Sequence, residues 1–397
     1  MKQKHIVVID DSPAILMVVK SLLAELGFLH VVTYSNPRKA LSEIKANPEK
    51  YSAVFTDLNM PDIDGMEVIK QLGEIDYQGG VCIVSEMDAR VINLAANIAR
   101  QHRIHLIGNI TKPVDTEKLK TAISKIHYLN LRRSKDTTAL LPADLKQCLN
   151  EHYVTPYYQP KVDIHTQQIS GIEVLARICK PGEANAILPS RFIRVASEHG
   201  LLDQITEQII DQVLHDMPMI MKVFGADIHI GLNLSPSQLN DSFHVENLYK
   251  LVNQHHLKHE QFIIEITEEY AVKTTEQLES LNRFRLRGFG LSLDDFGVGF
   301  TNLQQLRSLP FTELKIDRSL ILGIHDDPFN QVIVQTLVDI ADNLNFLLIA
   351  EGMECIDELS YLEERYQNML VQGFLICPPK PLESLIHWYH SWTKVRA

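Results

Sequence analysis

LSLDDFGVGF, residues 291–300, is an apolar run that closes on two adjacent carboxylates, Asp294 and Asp295, followed by glycines at 297 and 299. Neighbouring acids repel each other, and burying them without a partner is costly. A cation removes that cost, and two cations can share one bridging carboxylate. Taken alone, the stretch also reads as a strand end whose Asp caps the next turn. Other polar groups decide between the two, each closing an apolar run of its own: Glu173, Asn233, Glu265, Lys315 and Glu351.

Outward from this stretch, residues 143–397 alternate strand and helix signals over a length that suits a closed (β/α)8 barrel. The expected strands are 157–162, 170–178, 228–234, 262–266, 291–293, 313–316, 347–350 and 369–374. Helical spacing covers 189–199, 202–223, 275–286, 329–344 and 356–365. Only DIHTQQ joins the first two strands, too short for a crossover helix, so those two are expected to run antiparallel. Glu173 then falls on the second strand, Asn233 on the third, Glu265 on the fourth, and Asp294 and Asp295 on the fifth. Lys315 falls on the sixth, Glu351 just past the seventh and Gln372 on the eighth. Barrel strands converge at their carboxyl ends, so these groups meet at one mouth. Oxygen ligands without Cys or His favour Mg²⁺ or Mn²⁺ over zinc. Two close divalent ions suit phosphodiester hydrolysis, activating water and stabilising both the attacking and leaving oxygens. Lys315 would hold the water or help it lose its proton, its pKa lowered by burial beside cations.

Residues 1–125 carry a different α/β pattern. Runs 6–9, 31–34, 53–55, 81–84 and 105–110 read as buried parallel strands. Residues 13–26, 37–46, 66–72 and 89–101 read as helices, giving a doubly wound sheet. Functional groups collect past the carboxyl ends of such strands, and here these are Asp10 and Asp11, Asp57, Ser85 and Lys112. Three carboxylates can hold one Mg²⁺, and Asp57 can attack phosphorus and become an aspartyl phosphate. Lys112 offers a point charge to the phosphoryl oxygens, and Ser85 a hydroxyl. A helix over 117–131 and a polar stretch over 132–138 follow, so residues 126–142 are expected to be a hydrophilic linker.

The whole chain, 397 residues with 45% hydrophobic and 22% charged side chains, has room for two domains, or for a small domain and a barrel. A net charge of −12 argues against nonspecific adhesion to nucleic acid or anionic membrane, and no direct DNA binding is expected. Five scattered cysteines without CxxC spacing fit a reducing cytoplasm. No run is long enough to span a membrane, and MKQKHIVVIDD reads as a first strand, not a signal peptide. His255, His256 and His259 are expected at an exposed helix end. Trp388, Tyr389 and Trp392 are expected to pack the last helix.

The ordered set Asp10, Asp11, Asp57, Ser85 and Lys112 resembles a flavodoxin-like response-regulator receiver domain. The resemblance implies that Asp57 is the phosphoacceptor, that Asp10, Asp11 and Asp57 bind one Mg²⁺, that Ser85 and Lys112 form the switch, and that a sensor histidine kinase or other phosphodonor is a partner. Asn109 stands three residues before the lysine, where many receivers carry a rotating Phe or Tyr. The second domain is similar to EAL-type cyclic-di-GMP phosphodiesterases through YYQPK (157–161), EVLAR (173–177), NLSPSQL (233–239), EITE (265–268), DDFGVGF (294–300), LKID (314–317), EGME (351–354) and QGF (372–374). Val174 and Thr301 are minor departures. The resemblance implies a TIM-like barrel modified by an antiparallel strand, which cleaves cyclic-di-GMP to linear pGpG. It implies that Glu173, Asn233, Glu265 and Asp294 hold the first of two Mg²⁺ or Mn²⁺ ions. Asp294, Asp295 and Glu351 would hold the second. Lys315 and Gln372 would attend the water, with Glu354 supporting the site. Gln159, Arg177 and Asp317 would contact nucleotide, and Glu268 would steady the metal loop. A homo-oligomer, dimer or tetramer, is the expected assembly. A barrel that binds cyclic-di-GMP without cleaving it is the alternative.

Overall fold

The computed structural model describes residues 5–75, 77–87, 104–114, 116, 118–120, 122–123, 126, 139–183, 185–241, 243–267, 274–297, 306 and 309–394. The chain forms two compact units, Met1–Thr138 and Ala139–Ala397. The expected helix over 89–101, Glu268, Thr301 and the polar stretch over 132–138 lie outside the described residues, as does most of 117–131.

In the first unit, strands β1 (His5–Ile9), β2 (Val31–Tyr34), β3 (Tyr51–Thr56), β4 (Gly80–Ser85) and β5 (His105–Thr111) form one parallel sheet in the order β2-β1-β3-β4-β5. Side chains alternate across a strand, so Val7 and Ile9 enter one core while Ile6 and Val8 enter another on the opposite face. Burial on both faces explains why these strands are continuous apolar runs. Helices Pro13–Glu25, Pro37–Ala46 and Gly65–Glu74 start where the sequence supplies Pro at the first turn or an Asx cap, as Asn36 and Asp64 do. This order sends the carboxyl ends of β1, β3, β4 and β5 to one edge, carrying Asp10, Asp57, Ser85 and Lys112.

The second unit is a closed barrel. Its strands are β6 (Val154–Asp163), β7 (Ile169–Ile178), β8 (His229–Asn233), β9 (Phe262–Thr267), β10 (Gly290–Phe296), β11 (Glu313–Ile316), β12 (Leu347–Ala350) and β13 (Met369–Val371). β6 is antiparallel to both its neighbours, β7 and β13, and every other pairing is parallel. The β6–β7 hairpin is tied by Asp163, whose Oδ1 accepts from the backbone of His165 and Thr166, with Gln167 in the left-handed region at φ 57°. The long crossing helices Leu202–Phe224, Thr275–Leu286 and Pro328–Leu344 lie where helical spacing predicts them, give or take a residue.

Two departures from the sequence reading bear on the site. β13 stops at Val371, so Gln372 sits just past the strand and not on it. β10 continues beyond Leu293 and carries both acids, with a register shift against β11 between Leu293 and Phe296 and with Asp295 at φ 56°. In a regular strand, adjacent side chains face opposite sides; an irregularity of this kind re-aims one of them. That is how Asp294 and Asp295 come to share a site.

Trp388 and Trp392 on helix Leu382–Lys394 pack against the barrel core, and Tyr389 meets the Phe224 ring, as expected. His255 and His256 are exposed, while His259 stacks on Tyr249. Among the described residues, no helix is long and apolar enough to cross a membrane. None of the five cysteines is in a disulfide.

Candidate functional site

The barrel mouth is built from strand ends. Lys315, on β11, is 1% exposed, and its Nζ lies 2.7 Å from Glu351 Oε1, 2.9 Å from Glu265 Oε2, 3.0 Å from Asp294 Oδ1 and 3.3 Å from Glu173 Oε2. Glu173 is fixed from two more sides: Asn233 Nδ2 donates to Oε1 at 3.1 Å, and Gln372 Nε2 donates to Oε2 at 2.6 Å. Gln372 also donates to Gln159 Oε1 at 3.1 Å, and Gln159 donates to the Cys377 carbonyl at 3.0 Å. The buried Oε1 of Gln372 has no protein partner among the described residues.

Carboxylates outnumber cations here. Two overlapping groups, Glu173 with Glu265 and Asp294, and Asp294 with Asp295 and Glu351, each bring ligand oxygens within 4.8 Å of one another. Just below, Lys161 pairs with Glu265 and Glu313. Glu173, Glu265, Asp294, Asp295, Glu351 and Glu313 are six carboxylates against two ammonium groups, Lys161 and Lys315, a formal excess of four negative charges. Two divalent ions would neutralise that excess. The donors are oxygens throughout, and Asp294 belongs to both groups, so the residues fit a pair of hard divalent cations.

The electrostatics carry the same strain. Burial, reinforced by Asp294 and Asp317, pushes Asp295 up to about 7. Burial likewise raises Glu351 well above the usual carboxylate range and raises Glu173, with Lys315 opposing and neighbouring acids reinforcing the shift. Glu265 goes the other way: burial would raise it, but Lys161 and Lys315 hold it down to about 2. Burial alone would lower Lys315, as the sequence reading expected beside cations. The carboxylates outweigh burial and hold its pKa well above the ordinary value. With no ion bound, these carboxylates favour the ammonium form of Lys315.

Other expected site residues make their hydrogen bonds outside this cluster, although Asp317 acts on Asp295 and Glu173 on Arg177 through charge. Arg177 lies over the Tyr157 ring at 5.5 Å and donates to the Ala176 carbonyl at 2.8 Å. Asp317 caps helix Arg318–Ile321 through Ser319 N at 2.7 Å. Glu354 is not brought to the carboxylates; it pairs with Arg318 Nη2 at 2.7 Å. Lys161 and Glu313 are buried charged groups beside the site to which sequence reasoning gave no role. Their signal was parity: Lys161 is two residues after Gln159, and Glu313 two before Lys315, so each faces the barrel interior with a site residue.

In the first unit, Lys112 Nζ lies 2.7 Å from both Asp10 Oδ2 and Asp57 Oδ2. The other Asp57 oxygen accepts from Leu58 N at 2.6 Å, and Asp10 Oδ1 accepts from Ser12 N at 2.9 Å. Burial raises Asp10 against the pull of Lys112. Burial works to lower Lys112, yet its hydrogen bonds to Asp10 and Asp57 leave it raised. Asp10, Asp11 and Asp57 present oxygens within 4.8 Å of one another, which fits one Mg²⁺. Ser85 is fully buried and joined to Lys112 through its backbone carbonyl at 3.0 Å. Asn109 lies on β5, exposed.

A family model described as the EAL domain matches residues 143–379, and one described as the response regulator receiver domain matches residues 6–124. The chain is 26% identical over 395 residues to the cyclic di-GMP phosphodiesterase RocR of Pseudomonas aeruginosa, covering 98% of this chain and 99% of RocR. It is 34% identical over 244 residues to the bifunctional diguanylate cyclase/cyclic di-GMP phosphodiesterase MucR of the same organism, spanning 61% of this chain and 35% of MucR. A solved structure of the PaMucR phosphodiesterase in complex with c-di-GMP is similar at 33% identity and a TM-score of 0.57, covering 61% of this chain and 98% of that one.

Proposed function

The chain belongs to the EAL-domain family, with a receiver domain ahead of the EAL domain, and on that premise we propose that it is a response regulator that hydrolyses cyclic-di-GMP to linear pGpG under control of phosphorylation at Asp57. The observation that carries this reading is the pair of carboxylate groups sharing Asp294, with Lys315 buried among them. Glu173, Asn233, Glu265 and Asp294 would hold one Mg²⁺ or Mn²⁺, and Asp294, Asp295 and Glu351 a second. Ions bound there supply Lewis acidity to the phosphate and a water of lowered pKa.

The rest falls to side chains. Gln372 holds Glu173 in place with its amide nitrogen and keeps a carbonyl oxygen free to accept from the water. Lys315, whose Nζ lies among the carboxylates, would hold that water or help it lose its proton. Water oxygen forms the new bond to phosphorus and gives up a proton, the bond from phosphorus to O3′ breaks, and O3′ takes up a proton in exchange, the second water hydrogen staying with the new phosphate. Opening one of the two diester links leaves a linear dinucleotide with a 5′-phosphate. Gln159, Arg177 and Asp317 contact the nucleotide in this reading, Arg177 through a phosphate. Glu354 acts from its pair with Arg318, supporting the turn after β12, and Glu268 steadies the loop after β10. In the receiver, Asp57 takes the phosphoryl group from a histidine kinase or other phosphodonor, with Mg²⁺ on Asp10, Asp11 and Asp57, and Lys112 and Ser85 bind the incoming oxygens. The domains divide as 1–125 and 143–397, joined by a linker over 126–142.

The test is turnover of cyclic-di-GMP with Mg²⁺ or Mn²⁺, products separated by ion-pair chromatography. Accumulation of pGpG is expected. Nucleotide binding without product would replace this reading with a sensor that binds and does not cleave.

A further inference from the structure

One layer beneath the mouth lie two buried groups that the proposed mechanism does not use, Lys161 and Glu313, joined to the site through Glu265. Lys161 Nζ is 2.7 Å from Glu265 Oε1 and 3.3 Å from Glu313 Oε2, and the three residues are no more than 4% exposed. Glu265 is thus held at both ends: Oε1 by Lys161 from below, Oε2 facing Lys315 in the site at 2.9 Å. Burying an ion triad is costly, and a well-packed apolar set of the same volume is often as stable or more so, so stability alone does not account for these charges. The backbone of β8 is also shaped around this contact. A Cβ on Gly231 would lie 2.0 Å from Glu265 Oε1 and 3.4 Å from Lys161 Nζ. Charge completes the arrangement. Glu313 balances Lys161, so Lys161 grips Glu265 without cancelling the negative charge that Glu265 offers upward.

We propose that Lys161 is a positioning residue for the first metal pocket: it pins Glu265 Oε1, with Glu313 as counter-charge, so that Oε2 is the oxygen presented to the ion. The proposal rests on the two-ion reading given above. Groups that orient a metal ligand in this way typically change metal affinity by about 10–100-fold when removed.

The experiment uses the full chain and titrates Mn²⁺ by electron paramagnetic resonance, alongside steady-state kinetics, for wild type, Lys161→Met and Glu313→Gln; the receiver's own ion is common to all three. Lys161→Met should weaken one barrel ion by about 10–100-fold. It should also lower kcat at saturating Mn²⁺ while leaving the KM for cyclic-di-GMP in place, a split that general loosening of the fold would not produce. Glu313→Gln should move Mn²⁺ affinity in the same direction by less. A folded Lys161→Met protein with the wild-type Mn²⁺ isotherm and kcat overturns the proposal. Should that variant fail to fold, as judged by circular dichroism, Glu313→Gln decides, and an unchanged isotherm there overturns it. If wild type shows Lys161-dependent Mn²⁺ binding yet releases no pGpG, positioning stands and the phosphodiesterase reading fails.

Discussion

Lys315 is the residue on which the site's chemistry turns. Four carboxylates lie within 3.3 Å of its Nζ, and in the two-ion reading it is the donor that holds the water. Replacing it with Ala removes that donor from the reacting centre, so kcat should fall by on the order of 10²–10⁴ while nucleotide affinity changes much less. Kinetics paired with equilibrium binding of cyclic-di-GMP check this; lost affinity with kcat intact would make Lys315 a binding group. The groups gathered at the mouth were legible because each ended an apolar run, where a polar side chain stands out. Lys161 and Glu313 were harder to see because they sit inside the strand pattern, one layer below. The Glu354–Arg318 pair was not legible at all: thirty-six positions separate the partners, and only the turn after β12 brings them together.

At the scale of elements, β10 decides the site, and its irregularity at Asp294–Asp295 was invisible in sequence, where the apolar run appeared to stop at Leu293. Its consequence is a crowd of acids that stability should register. Asp295 is raised from 3.8 to about 7, so the folded barrel binds that proton more tightly than the unfolded chain, and stability falls as pH rises across this interval. Glu351 and Glu173, also raised, act in the same direction. Glu265, lowered from 4.5 to about 2, stabilises above its unfolded value and loses that contribution only as pH falls toward 2. With EDTA present, the barrel should therefore melt at higher temperature near pH 5, inside the interval over which Asp295 shifts, than near pH 7.5, just above it. Mn²⁺ should reduce the difference by taking the place of the protons. Both tryptophans of the chain lie on helix Leu382–Lys394, so their fluorescence reports the barrel alone. The same pH dependence with and without Mn²⁺ would contradict the acid-crowding account.

For the whole molecule, the two-domain order and both fold types were legible, because strand parity and strand-end acids differ plainly between the two halves. Assembly was not, since it depends on surfaces whose pairing no local pattern encodes. The receiver pocket is equipped for phosphotransfer: Lys112 bridges Asp10 and Asp57 at 2.7 Å. Asn109 supplies no rotating aromatic, so a signal would have to leave by altered packing of receivers within a dimer or larger assembly. Beryllofluoride should raise kcat/KM and shift sedimentation in wild type, and do neither in Asp57→Asn; confirmed modification with no change in rate or assembly would remove the receiver as a switch. The central claim, a barrel that cleaves cyclic-di-GMP with two ions held by the carboxylate groups that share Asp294, is tested most directly by following pGpG release as Mn²⁺ is titrated into the metal-free chain. Release should stay negligible until the second barrel ion binds; full turnover with one ion bound, or in excess EDTA, would contradict it.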